Sequence, residues 1–341
     1  MRWQFESDAT VNFTPATDGE RVYLPLTSGK LVSLRSSDGQ LIWKAEVGGE
    51  LSAAPVADQK SVYIASQTTG RSDISLRAYG ALRALGREGG VTLWMRTLSF
   101  PIQGTMTISQ THLFGGARDG RVYAVKKSSG EIDWVMQHTS AFNSQPLLSN
   151  SRLYIGAEDG ALFSLDERTG KVFWRYQTRG PIRGSVAVVD NVIYFGSADG
   201  YVYALDETSG RLRWRARTGA GVQTVAAAKG GLLVASLDNF VYLLTLNHGK
   251  KIWKHLLDGR LASQPLTTDD SALFTPLSGD AGVVLNLKDG KPLNSIPIGE
   301  DNSTTASPIA IGNSVFVTTR KGLLAFSSPA DQVETKTRNP Q

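Results

Sequence analysis

Four histidines, one glycine-rich run and one acidic loop are the places where this 341-residue chain could do chemistry. His112, His138, His248 and His255 lack the i, i+4 spacing that sets two imidazoles on one helix face around zinc. They read as turn and strand residues. The run GAGVQT from Gly219 begins like a dinucleotide loop, but Thr224 stands where the last glycine belongs and no helical periodicity follows. Gly29-Lys30, Gly170-Lys171, Gly249-Lys250 and Gly290-Lys291 precede Leu, Val, Lys and Pro, so none completes a P-loop. Residues 299–304, GEDNST, offer Glu300, Asp301 and Asn302, oxygen ligands of the kind calcium accepts, without the ordered spacing of a calcium loop. There is no cysteine, which removes disulfides, thiolate catalysis and Cys-ligated zinc. No catalytic residue and no metal ligand is assigned.

The chemistry that remains must come from how the chain repeats itself. Trp3, Trp43, Trp94, Trp134, Trp174, Trp214 and Trp253 are all the tryptophans there are, and they lie at steps of 40, 51, 40, 40, 40 and 39 residues. The last six each stand four residues after a glycine: Gly39, Gly90, Gly130, Gly170, Gly210 and Gly249. An eighth position keeps Gly290 but carries Asn294 in place of the Trp. Within a period, SQPLLS, SRLYIGA, GALFSLDE and GKVFWRYQT alternate apolar and polar residues between turn signals, which is the pattern of four short strands. Asp119-Gly120, Asp159-Gly160 and Asp199-Gly200 mark hairpins between second and third strands.

Four antiparallel strands at a period near 40 make a propeller blade, so the chain is read as all-β, a single eight-bladed propeller. The last repeat supplies three strands and stops, while the chain opens on a solitary one, RWQFES. The N-terminal strand is therefore expected to complete the last blade and close the ring. Residues 1–328 form the propeller in this reading, and 329–341 a polar tail. The tryptophans are structural docking residues, each burying about 150–250 Å² of ring against a turn glycine of its own or a neighbouring blade.

Equivalent positions in a ring of blades converge on the axis. Nine residues past each Trp come Asn12, Ser52, Gln103, Asn143, Arg183, Gln223 and Ala262, with Thr305 in the eighth place when two inserted residues are allowed. These are expected to line or rim the axial channel, either as the polar wall of a water-filled passage or as a site for a small molecule or peptide end with Arg183 as its one cation. The 51-residue step places an insert within residues 66–81, in a hairpin loop between second and third strands. It brings Arg71, Arg77 and Tyr79, residue types enriched where partners bind.

The units LDERTGKVFW, LDETSGRLRW and VKKSSGEIDW resemble the tryptophan-docking, PQQ-like repeat of the quinoprotein superfamily, over nearly the whole chain from Trp3 to about Phe326. That superfamily includes PQQ-dependent dehydrogenases and BamB-like scaffolds of outer-membrane protein assembly. The enzymes are larger, hold Ca²⁺ with Glu, Asn and Asp, use an Asp base, and in many members cover the quinone with a disulfide between adjacent cysteines. This chain has no cysteine and one sizeable insert, and no position matches the catalytic Asp, so it is more similar to the BamB-like branch. The resemblance implies a non-enzymatic protein-binding scaffold, a partner among outer-membrane assembly components, a cell-envelope or periplasmic location, and no cofactor. PQQ and Ca²⁺ enter only under the alternative, a quinoprotein-related ligand-binding or dehydrogenase-like protein. The opening MRWQFESD has no apolar core after its arginine, so it does not read as a secretory signal and the sequence by itself reads as cytoplasmic. The net charge of +5 is spread along the chain without basic runs, which argues against nucleic acid. No 18-residue apolar stretch occurs, and a monomer is expected.

Overall fold

In the fourth repeat, Leu147–Ser149, Arg152–Gly156, Ala161–Asp166 and Val172–Gln177 hydrogen-bond side by side in chain order, all antiparallel. The middle two strands are buried on both faces, because neighbouring repeats cover both, while the outer strand alternates exposed and half-buried residues. This computed structural model describes residues 1–11, 13–72, 75–300 and 302–327, and among residues 69–72 and 75–78 only the backbone. Asn12, Asp301 and the tail 329–341 lie outside the described residues.

The same four-stranded unit recurs around the ring, so the fold is the all-β, eight-bladed propeller the sequence predicts. Blades one to seven end on the outer strands Leu41–Glu46, Thr92–Leu98, Ile132–Gln137, Val172–Gln177, Leu212–Arg217, Lys251–Leu256 and Pro292–Pro297. In the eighth, Trp3–Glu6 pairs antiparallel with Gly322–Ser327, setting Trp3 opposite Ala325 and Glu6 opposite Gly322. The two ends of the chain thus build one blade.

Each tryptophan docks on the turn of the next blade, resolving which of the two expected glycines receives it. The Trp134 indole lies on Gly170, where an added Cβ would stand 2.5 Å from Cε3 of the ring. That glycine has φ +69°, so the turn geometry and the flat surface for the indole require the same residue. The indole N–H then donates to the carbonyl of Glu167 at 3.0 Å. The arrangement repeats from Trp3 on Ser36 to Trp253 on Leu287, at 2.7–3.1 Å. Asn294 now has a reason. Its blade faces the eighth, whose third and outer strands are the two chain ends rather than a hairpin, so no glycine turn exists there to receive an indole.

A second set of contacts ties blades together on the face that carries these turns. Asp18, its side chain fully buried, accepts from Tyr23 Oη at 2.7 Å and pairs with Arg87 of the next blade. Burial works to raise the Asp18 carboxyl, but bonds from Tyr23, the Glu20 N–H and Arg87 outweigh it and hold it below the ordinary range. Lys127 reaches back to Asp58 at 2.6 Å, and the amide of Asn150 donates to Glu207 at 3.1 Å.

The insert differs from expectation. Instead of a loop, it lengthens both strands: Ser61–Ser72 pairs with Ser75–Gly86 in unbroken register from Ser61 opposite Gly86 to Ser72 opposite Ser75. Threonine and the aliphatic residues of the insert can continue a ladder even without strict alternation, so the extra residues extend a β-ribbon beyond the blade.

Candidate functional site

The inner segments of all eight blades, mostly just ahead of the inner strands, surround an axial cavity of about 250 Å³, walled mainly by amides and hydroxyls. Of the residues counted nine past each Trp, Asn143, Arg183, Gln223, Ala262 and Thr305 line it. Ser52 and Gln103 do not. The inner strands of blades two and three pair directly and in parallel, Ala53 with Gly104 and Ala54 with Thr105, so Ala54, Gly104 and Thr105 form the wall and Ser52 is buried behind it. Asn12 lies outside the described residues.

A second ring of wall residues sits two positions farther along, at Thr14, Thr105, Gln145, Ser185, Gln264 and Ser307. Residues i and i+2 of an extended segment share a face, so the same spacing carried two positions farther points to this ring. These side chains join blade to blade. Ser307 Oγ accepts from the Gln264 N–H and Thr14 Oγ1 from the Ser307 N–H, both at 2.9 Å, and Ser185 Oγ contacts Thr224 Oγ1 at 2.9 Å. Across the axis, Gln264 Nε2 donates to Gln145 Oε1 at 2.8 Å, linking blade seven to blade four. That bond crosses the channel beneath the cavity, and a second cavity below shares the same two glutamines.

Arg183, the one cation expected of the site, is held in an ion pair. Its Nε and Nη2 donate to both carboxylate oxygens of Glu158 at 2.7–3.0 Å, and Asn143 Nδ2 donates to the same carboxylate at 2.9 Å. The Arg183 guanidinium holds the Glu158 carboxyl below its usual range against the burial that would raise it, and Glu158 in turn raises Arg183. Glu158 precedes an Asp-Gly turn and so reads in sequence as a turn residue; only the fold brings it 25 positions forward to Arg183. Because its folded pKa is lowered, Glu158 contributes stability that is present above about pH 4.5 and lost as pH falls through the folded value. Glu158→Gln is therefore expected to cost up to about 1 kcal/mol at pH 7 in urea unfolding, a gap that closes in acid. A gap that does not shrink as the pH is lowered below about 4.5 would show that the charge pair is not its source.

Among the described residues, a set of side chains that could hold calcium does not gather here. Glu158 is the one carboxylate that touches a wall residue by a described bond, and both its oxygens are engaged. Among the described residues no three His, Asp or Glu side chains converge. In the acidic loop, Asn302 is committed to the fold, its amide donating to Ile298 O at 2.9 Å and its oxygen accepting from the Lys321 N–H. The described donors do not make the Glu, Asn and Asp calcium seat that the alternative requires.

Strand direction places the turns between second and third strands on the same face as the links from one blade to the next. Gly160, at φ +85°, shows this, since an added Cβ would stand 2.6 Å from the carbonyl of Gly180 in such a link. The blade-two ribbon projects from that face. Tyr79 on it is 45% exposed, and at its foot Gly80 packs on the Phe100 carbonyl and Pro101, beside the exposed Phe100. Arg71 and Arg77 lie on the two ribbon strands, and their side chains are outside the described residues.

Fold and channel together define a closed eight-bladed propeller of the tryptophan-docking kind, with a polar, cross-bridged axis. The sequence model of the family described as outer membrane protein assembly factor BamB matches residues 2–78, 78–185 and 164–340, and the chain belongs to that family. The outer membrane protein assembly factor BamB of Shewanella oneidensis is 27% identical over 119 residues, 33% of this chain and 27% of that relative's length. The crystal structure of BamB from Moraxella catarrhalis superimposes with a TM-score of 0.76 at 18% identity, covering 95% of this chain and 97% of that one. Quinohemoprotein alcohol dehydrogenase from Comamonas testosteroni does so with 0.74 at 12% identity, covering 95% and 73%. These two structures show shared architecture alone.

Proposed function

We propose that the protein is a non-catalytic scaffold of the cell envelope, acting in outer-membrane protein assembly by holding a protein partner on the face that bears the ribbon. The family match carries this reading. The site geometry supports it: the channel offers amides and hydroxyls already bonded to one another, with its arginine neutralised and its axis bridged by Gln145 and Gln264. Such groups position backbone and orient a bound segment; they supply no general base, nucleophile or metal seat. The partner would meet Tyr79 and Phe100 as aromatic anchors and the Asn143–Glu158–Arg183 cluster as a polar rim, with Arg71 and Arg77 of the ribbon as further candidates. No helix among the described residues is long and apolar enough to cross a membrane.

Photo-crosslinking amino acids placed singly at Tyr79, Asn143 and Arg168 test the proposal in cells. Arg168 belongs to a turn on the opposite face and serves as the control; Lys127 on that face is unsuitable, because it is tied to Asp58 and its loss would disturb the blades. Crosslinks from 79 and 143 to an outer-membrane assembly component, and none from 168, are expected. Capture from 168 alone overturns the choice of face. Titration with PQQ and Ca²⁺ is expected to give no binding heat and no dye-linked alcohol or sugar oxidation, and saturable turnover above a heat-killed control overturns the non-catalytic reading.

A further inference from the structure

The positive charge, although it forms no consecutive basic run, is concentrated in one stretch of sequence and one sector of the ring. Between residues 211 and 254 there are eight Lys and Arg and one acidic residue, Asp238. Asp238 is already committed to the Gly219 and Phe240 N–H groups and Tyr242 Oη. Most of these cations lie on or beside the outer strands of blades five and six, Leu212–Arg217 and Lys251–Leu256. Arg213 bonds Asp206 at 2.7 Å. Arg211, Arg215, Arg217, Lys250, Lys251 and Lys254 are exposed, and no ion pair between described residues engages them.

We infer that the outer edge of blade five is a docking edge for an extended acidic segment of a partner protein, which adds as a strand with Asp or Glu at alternate positions. It is a different surface from the ribbon face and does not depend on it. Three observations carry the inference. Trp214 and Ala216 are half-buried while Arg215 and Arg217, alternating with them, are exposed. Two residues of strand set those two positions about 7 Å apart along the edge, the repeat of side chains on one face of an added strand. Arg215 is laid on the Tyr201 ring, 4.9 Å from its centroid, and Lys254 of the next blade on Phe240 at 4.2 Å. A cation so held has surrendered part of its freedom before a partner arrives.

Other edges differ, and on blade four the equivalent cation, Arg175, already has a counter-ion in Asp159. Blade one presents Lys44 bonded to Asp8, blade seven has proline at both ends of its outer strand, and blade two presents Val91, Leu93 and Met95. One charge or one proline is enough to stop an edge from pairing with a copy of itself. Several like charges without counter-ions destabilise the compact state, and an acidic strand relieves that repulsion. Any anionic surface could satisfy isolated cations, but alternation along a free strand edge selects a polypeptide, with unpaired backbone groups to meet its own.

The test uses the full chain and fluorescent nine-residue peptides with Glu either at alternate positions or clustered at one end, alongside vesicles of phosphatidylethanolamine with phosphatidylglycerol. Arg215→Gln/Arg217→Gln is compared with Lys288→Gln/Lys291→Gln on blade seven, both checked for unchanged melting temperature. The alternating peptide is expected to bind saturably at low salt, more tightly than the clustered one, to lose about tenfold in affinity with the blade-five variant and nothing with the blade-seven variant, and to weaken with added salt. Equal binding of the two peptides, or equal binding by the blade-five variant, overturns the proposal. Vesicle binding without peptide binding overturns it in favour of a lipid surface.

Discussion

Deletion of residues 1–7 is expected to lower the melting temperature by about 10 °C or more, because it takes away the outer strand of blade eight with its tryptophan, each a contribution of several kcal/mol. Trp3 and Phe5 pack on the cluster of Val11, Leu24, Phe316 and Leu323 that joins blades eight and one, and the indole N–H of Trp3 holds the Ser36 carbonyl of blade one at 3.1 Å. Without the strand, Gly322–Ser327 becomes an open edge and blade one loses the surface it docks on. Ending the chain at residue 328 leaves every described contact in place and is expected to move the midpoint by about 1 °C or less. Thermal scans of the two truncations decide it: similar small shifts would mean that the ring does not depend on closure by the N-terminal strand.

What could be read in the sequence follows from where each signal sits. The tryptophan spacing, the Asp-Gly hairpins and the period-2 alternation are local, so blade number, strand order and the seam were legible without coordinates. The channel was legible only in part. Counting from the tryptophans found Asn143, Arg183 and Gln223, yet the partners that give those residues their character come from elsewhere: Glu158 is 25 positions from Arg183, and Gln145 is 119 from Gln264. Contacts between repeats leave no trace in a pattern defined within one repeat. Ser52 and Gln103 fall outside the cavity wall for a related reason, since the direct pairing of Ala53 and Ala54 with Gly104 and Thr105 breaks the equivalence of blades on which the spacing rests. The insert was located correctly and its conformation was not, because Ser-Gln-Thr-Thr and Ser-Leu-Arg-Ala carry neither strong loop signals nor a strict alternation.

Trp174→Ala and Asn294→Trp are expected to differ sharply although both act on the same repeat position. At 174 the ring covers Gly210, lies tilted against Tyr154 with centroids 5.9 Å apart, and donates to the Glu207 carbonyl at 3.0 Å. Alanine empties that space and leaves a carbonyl between two blades without its donor, a loss of about 3–5 kcal/mol. At 294 the side chain is exposed, and its amide oxygen accepts from the Ser295 N–H at 2.8 Å. The interface beyond it is made by Leu273, Ile298, Val317 and Leu324 instead of an indole on a turn. A tryptophan there has no glycine surface or free turn carbonyl to meet, so the change is expected to stay within about 0.5 kcal/mol. Urea unfolding with unchanged slope measures both. If Asn294→Trp instead stabilised the fold by as much as a docked indole contributes elsewhere, the seam would have to offer a receiving surface equivalent to the missing hairpin, and the link between the absent tryptophan and the open chain ends would fail.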